Sequence, residues 1–240
     1  MGCRGEMYYI PQPAQMPAHL HATQWVGDRA VHFVESARSD QPFFLFASFI
    51  HPHPPFSPPT PWNKLYRAML MPLPKRPADC QALMTYMNRY QNRYKYRDNG
   101  LDANLLRVIK AYYYACISFI DFQIGRILHA LGQVGQLDNT LILFASDHGE
   151  FLGDYDCFGK RSMLDSAARI PLLARYPQRF SPGLRCRIPT SLVDVMPTCL
   201  SAADIDPSPY GCDGMDLSKV AQGASSATLQ ERTVYSQFQR

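Results

Sequence analysis

The stretch Leu141-Ile142-Leu143-Phe144-Ala145-Ser146-Asp147-His148-Gly149-Glu150 decides how this chain is read. Five apolar residues running into Ser-Asp-His describe a buried strand that ends in two metal-ligand side chains. In open α/β sheets, ligands sit beyond the carboxyl ends of the strands. Asp147 and His148 therefore fall at the mouth of a sheet. Further on comes Gly159-Lys160. The glycine permits close backbone approach, and the ammonium neutralises an oxyanion. Taken alone, the Asp-His pair is equally well explained as a strand-end turn, and Lys160 as an ordinary solvated lysine. In company with Gly149 and Glu150 they favour a metal-assisted site for a phosphate- or sulfate-like ester.

Working outward, a second apolar run, Phe43 to Phe49 (FFLFASF), reads as another buried strand of a parallel sheet. It leads into His51-Pro52-His53-Pro54-Pro55-Phe56. The flanking prolines fix the backbone, which preorganises an imidazole to hydrogen-bond an anion or to protonate a leaving oxygen. The bland alternative for either histidine is a loop residue with no role. Nine of the 20 prolines fall between Pro52 and Pro77, so residues 50–77 form a long loop over the end of that strand.

Helical spacing of Val26, Ala30, Phe33 and Ala37 places a helix over 21–38. A Tyr- and Arg-rich stretch over 79–97 reads as an amphipathic helix with a solvated basic face rather than a nucleic-acid surface. The strongest helix covers 102–134, where Leu105, Ile109, Tyr113, Cys116, Ile120, Ile124, Ile127 and Leu131 recur at three- and four-residue steps. Strands are expected at 140–146, 170–176 and 233–238, and a helix at 192–203. Alternating helices and buried strands argue an α/β fold with a largely parallel sheet flanked by helices.

Composition limits the rest. With 240 residues and 46% hydrophobic content, the chain builds a sizeable core. A net charge of +4 mildly favours anionic ligands without implying nucleic acid. No run is long and apolar enough for a membrane helix. Seven cysteines without a C-x-x-C pair exclude a zinc ribbon or thioredoxin-like site and leave the redox compartment open.

These pieces, in order, resemble the sulfatases within the alkaline phosphatase-like superfamily: TQWVGDRAVHFVE at 23–35, PFFLFASFIHPHPPF at 42–56, LILFASDHGEFLGDYDCFGKRSMLDSAARIPLLARYP at 141–177, and SLVDVMPTCLSAADID at 191–206. The resemblance implies an alkaline phosphatase-like core over 1–205, with 206–240 starting a small C-terminal subdomain. It implies Asp147 and His148 as ligands of one divalent metal, calcium first, with Mg²⁺ or Mn²⁺ as alternatives. Lys160 and His53 become sulfate-binding and charge-stabilising groups, and the substrate a sulfate ester such as a sulfated glycan. His51 lies outside the matched pattern.

One departure matters. Sulfatases carry C-x-P-x-R or S-x-P-x-R, whose Cys or Ser becomes formylglycine, and an earlier pair of aspartates on the metal. Neither pattern occurs in these 240 residues. The chain therefore reads as a C-terminal portion, incomplete at its N-terminal side, with the nucleophile absent. On that reading it is inactive alone and has exposed apolar edges that favour self-association. Two alternatives stand beside it: a phosphonate or phosphate monoester hydrolase of the same superfamily, and a non-catalytic fragment or pseudoenzyme.

Overall fold

The computed structural model describes residues 9–38, 40–92, 102–222 and 227–236. They form two compact units. The first is drawn from Met1–Leu137 with Glu150–Ser162, and the second from Asp138–Gly149 with Met163–Arg240.

The first unit is built on two helices, α1 (Ala22–Ser36) and the long α4 (Ala103–Gln133), with α2 (Cys80–Leu83) and α3 (Tyr86–Gln91) between them in the chain. α1 buries Thr23, Gly27, Ala30 and Val34, one stripe at helical spacing, against α4. Gly27 marks the close approach: a Cβ there would lie 2.2 Å from Gln123 Oε1. Gln123 is fully buried and satisfied. Its amide nitrogen donates to Gln24 Oε1 at 2.9 Å, and its oxygen accepts from Arg126 at 2.7 Å. Arg126 also pairs with Asp28 at 2.6 Å. The seam thus satisfies its own polar groups, as a buried interface must.

α4 starts where the sequence places it because Asp102 caps it, accepting from the amides of Asn104 and Leu105 at 2.7 and 3.1 Å. Leu106, Ile109 and Cys116 on its buried stripe gather Tyr9, Phe56, Leu152 and Phe158 into the core. The expected helix over 79–97 is broken. Thr85 accepts the Asn88 amide while Asn88 Oδ1 accepts the Thr85 amide, so a new N-terminus forms inside the stretch. Residues 93–97 and the Asn99-Gly100 turn lie outside the described residues.

Phe43–Phe49 departs from expectation. It is extended, yet no ladder joins it to another strand among the described residues. Burial alternates along it, with Phe44, Phe46, Ser48 and Ile50 exposed and Phe43, Leu45, Ala47 and Phe49 half-buried. The segment has the period-two geometry of a strand covered on one side only, not that of a strand buried on both.

In the second unit, β1 (Ile142–Ala145) pairs with β2 (Leu172–Arg175), with α5 (Asp165–Ala168) between them. The pairing is antiparallel, in register Ile142↔Arg175 through Ala145↔Leu172. The expected largely parallel sheet is thereby corrected: among the described residues the sheet has these two strands, running in opposite directions. The apolar runs mark the strands but carry no information on direction, which the path of the chain between them sets. α6 (Val195–Ala202), α7 (Leu217–Gln222) and α8 (Ala227–Gln230) complete the unit. Residues 233–236 are irregular rather than a strand, and 237–238 lie outside the described residues.

The hub of this unit is Asp194, completely buried before α6. Its carboxylate accepts from the Ser191 and Met215 amides, both at 2.8 Å, and from both arms of the Arg232 guanidinium at 2.6 and 3.0 Å. Thr198 Oγ1 accepts from Leu217 N at 2.8 Å and Ser201 donates to Asp216 at 2.6 Å. These bonds tie Met215, Asp216, Leu217 and Arg232 back onto Asp194 and α6.

Candidate active site

His53 and Lys160 belong to the first unit; Asp147 and His148 belong to the second.

His53 is exposed on the proline-rich loop. Its backbone N–H donates to Ile50 O at 3.0 Å, and its ring Nδ1 lies 2.8 Å from the Pro54 carbonyl. A carbonyl can only accept, so Nδ1 carries the hydrogen. Donation from Nε2 to an anion therefore requires the imidazolium form, which also brings a positive charge to the anion.

Lys160 follows a tightly wound turn. Leu152, Tyr155 and Asp156 hold left-handed φ of 49°, 57° and 55°, with Gly153 at 91° and Gly159 at 82°. Three non-glycine residues in that region are costly and persist only where surroundings over-determine them. Here Asp154 Oδ1 accepts from Lys75 N at 2.8 Å, Lys75 O accepts from Tyr155 N at 2.8 Å, and Asn92 Nδ2 donates to Asp156 O at 2.6 Å. Glu150 holds the other end. Its Oε1 accepts the Gly159 amide at 2.6 Å, and its Oε2 accepts the Tyr9 hydroxyl at 2.9 Å. Burial pushes the Glu150 carboxyl up to about 7, against the pull of Tyr9, the Gly159 and Leu152 amides and the Lys160 charge.

Glu150 and Tyr9 are supports that sequence reasoning did not assign. The glutamate was visible as the end of S-D-H-G-E, though without a role. Tyr9 gave no signal, being 141 residues away.

In the second unit β1 leads to Asp147 and His148, but it is half-exposed rather than the buried strand expected, with Phe144 and Ala145 exposed. Ser146 Oγ donates to His148 O at 2.6 Å, and Asp147 Oδ1 accepts the His148 amide at 3.0 Å. His148 Nδ1 lies 2.8 Å from the Gly149 carbonyl, so it is the protonated nitrogen and Nε2 keeps its lone pair in the neutral ring. That lone pair lies 3.3 Å from Asp147 Oδ2. Two such donors repel unless a proton or a cation lies with them. Two ligands of one ion, at the usual metal–ligand lengths and a right angle, are separated by about 3.0–3.5 Å. A backbone carbonyl on the other ring nitrogen is the customary support of a metal-bound histidine. The pair fits two adjacent positions on one divalent ion. Among the described residues, no group of three or more His, Cys, Asp or Glu side chains is arranged to hold a metal.

Gly149 is required by this arrangement. Its amide donates to Ala167 O at 2.7 Å, and a Cβ on it would lie 2.1 Å from Ser166 O, a backbone atom. Gly149→Ala should cost about 1–3 kcal/mol through overpacking, read as a lower urea midpoint with an unchanged slope. An unchanged midpoint would show that the α5 backbone gives way freely.

Comparisons with known proteins identify the family. The sulfatase family model matches residues 5–205. An arylsulfatase of Clostridium perfringens is 31% identical over 230 residues, covering 91% of this chain and 45% of its own. The multifunctional alkaline phosphatase superfamily protein PehA of Trinickia caryophylli is 31% identical over 224 residues, covering 86% and 42%. Among solved structures, the phosphonate monoester hydrolase SpPMH from Silicibacter pomeroyi superposes with a TM-score of 0.75 at 29% identity, covering 91% of this chain and 47% of that one. The chain thus spans less than half the length of these relatives. Since the family model covers residues 5–205, most of the 240, the chain belongs to the sulfatase family.

Proposed function

We propose that this chain contributes the metal- and anion-binding part of a sulfuric ester hydrolase. The observation that carries the proposal is the Asp147–His148 pair, set at 3.3 Å with His148 Nδ1 tied to a carbonyl, in a chain of the sulfatase family. Asp147 Oδ2 and His148 Nε2 would hold a divalent ion, calcium first, with Mg²⁺ or Mn²⁺ as alternatives. When bound, such an ion supplies Lewis-acid charge to sulfate oxygens. Lys160 would neutralise charge on the ester oxygens, held in place through Gly159 and Glu150. His53, as the imidazolium, would donate Nε2–H to a sulfate or leaving-group oxygen. No C-x-P-x-R or S-x-P-x-R stands in the 240 residues, so no nucleophilic step is assigned to them.

The substrate would be a sulfate ester, with a sulfated glycan as the proposed class. Among the described residues no helix is long and apolar enough to cross a membrane. The end of the family match at residue 205 supports a core over 1–205 with 206–240 beginning a C-terminal subdomain. The exposed Phe44, Phe46 and Ile50 support self-association; a single, concentration-independent mass in light scattering would speak against it.

The test is sulfate release from an aryl sulfate by the purified 240-residue chain, alongside calcium titration. We expect no release above the uncatalysed background. Calcium should bind weakly, with Kd near the about 10⁻⁴–10⁻³ M of ligand-poor sites, and binding should be lost in Asp147→Asn. Sulfate release at the rate of a working enzyme, or calcium binding unaffected by Asp147→Asn, would overturn this assignment. The likeness to the phosphonate monoester hydrolase favours a second reading, cleavage of phosphonate monoesters. A panel of aryl sulfate and phenylphosphonate monoester separates the two as soon as turnover is measurable.

A further inference from the structure

His21 is an unusual helix cap, a place ordinarily taken by Ser, Thr, Asp or Asn. Its Nδ1 accepts the Thr23 amide at the start of α1, at 3.1 Å. The same ring hydrogen-bonds the backbone of Ser57. With Nδ1 acting as acceptor, the donor to the Ser57 carbonyl is Nε2–H. Both nitrogens are committed in one neutral tautomer. The buried ring also packs on His51 with centroids 4.7 Å apart, and on Phe119 of α4 at 5.6 Å. His51 Nδ1 lies 3.5 Å from Thr23 Oγ1. His51 and Ser57 bracket the proline-rich loop that presents His53. Both ends of that loop therefore rest on one imidazole.

We propose that His21 is the positioning residue of the His53 loop and that its neutral ring forms a proton-sensitive latch between α1 and residues 51–57. The consequence for the reaction rests on the sulfate-binding role proposed for His53; the latch does not. A proton can be added to His21 only at Nδ1. That turns the acceptor of the Thr23 amide into a donor and places a cation against His51.

The titratable groups facing the latch are His51 and His53 from the loop and the Cys116 thiol from α4, whose sulfur takes a hydrogen bond from the Ser57 backbone. None of them offers negative charge: burial pushes the Cys116 thiol up to about 12. Burial likewise holds His21 below its ordinary value, outweighing the Ser57 bond. It pushes His51 down to about 4, with His21 and His53 adding to the effect. The sign follows. Both rings are neutral in the fold, while an unfolded imidazole takes its proton near about 6.5. The latch is fully held above that pH and is given up as the pH falls toward the folded-state values.

Histidine-ring NMR and amide hydrogen exchange on the 240-residue chain between pH 8 and 4 test this. In the wild type the His21 ring should stay neutral through about pH 6.5. The Thr23 and His53 amides should then lose protection together as it titrates. His21→Asn retains a capping oxygen but no titratable ring. It should keep Thr23 protected at every pH, while His53 loses about tenfold protection already at neutral pH, without an acid step. The proposal is overturned if the two wild-type amides respond to acid separately, or if His21→Asn leaves His53 protection and its pH dependence unchanged. Should the variant not fold, the wild-type titration decides. Because the readout is amide protection, a failure of His53 to bind sulfate leaves the result intact, and the converse holds.

Discussion

Asp194→Ala is expected to destabilise the second unit by about 3–5 kcal/mol, the usual consequence of removing one partner of a buried ion pair. The carboxylate is completely buried, and the Arg232 side chain is 11% exposed. Burial works against the Asp194 charge, but the Arg232 fork and the Met215 and Ser191 amides more than offset it and hold the carboxyl below its usual range. Alanine would leave the Ser191 and Met215 amides without this acceptor and the guanidinium, 11% exposed, with the Pro189 carbonyl in place of its buried counter-charge. The loss should unfasten residues 206–232 from α6, because Met215 and Arg232 both anchor there. Trp25 and Trp62 both lie in the first unit, so their fluorescence would miss the event. Amide exchange over 191–217 would record it as a loss of protection of about 10²–10³-fold or more. Protection within about threefold of wild type would mean that Arg232 finds solvent at little cost.

Phe56→Ala should cost the first unit about 3–5 kcal/mol, the range for emptying a buried aromatic site. Phe56 is 0% exposed and meets Tyr9 and Tyr113 edge-on, at 5.4 and 5.2 Å between centroids. The cavity would sit beneath the His53 loop and beside the tyrosine whose hydroxyl supports Glu150. Tryptophan fluorescence in urea suits this unit, since Trp62 packs on Phe119 and Phe122 of α4 at 4.9 and 5.3 Å. Phe56→Leu should show a smaller shift of the midpoint. A loss under about 1 kcal/mol for the alanine variant would show that Tyr9 and Tyr113 collapse into the space.

Most helices were legible because their signals are local. The α4 stripe repeats over many turns, and Asp102 announces its start. The break at Thr85 is also written in the sequence, as Thr-x-x-Asn, but the flanking tyrosines and arginines keep the helical period and mask it. Phe43–Phe49 was misread for a different reason. Its residues are almost uniformly apolar, so residue type gives no clue to the alternating burial. Whether an extended run acquires a ladder depends on segments far away in sequence. The direction of β2 against β1 is similarly non-local.

At the candidate site, motif and spacing single out Asp147, His148, Lys160 and His53, but not the hydrogen bonds that orient them. Asp147 and His148 stand at a strand end as expected. The carbonyl that fixes the His148 tautomer is that of Gly149, where the sequence shows only a glycine. His21 looked like one more residue of a helical segment, since histidine carries no prior as a cap.

The hydroxyl that Tyr9 offers to Glu150 gives a residue 141 positions upstream an unexpected reach. Glu150 in turn grips the Gly159 amide, one residue before the lysine proposed to meet the substrate. A protease that nicked the chain just past residue 9, or a fusion partner that pulled the tyrosine ring off Phe56 and Phe158, would deprive that lysine's turn of an anchor without altering any residue near it. The backbone beside Tyr9 is therefore a chemical variable for this protein, and anion affinity compared between intact and nicked preparations would reveal it.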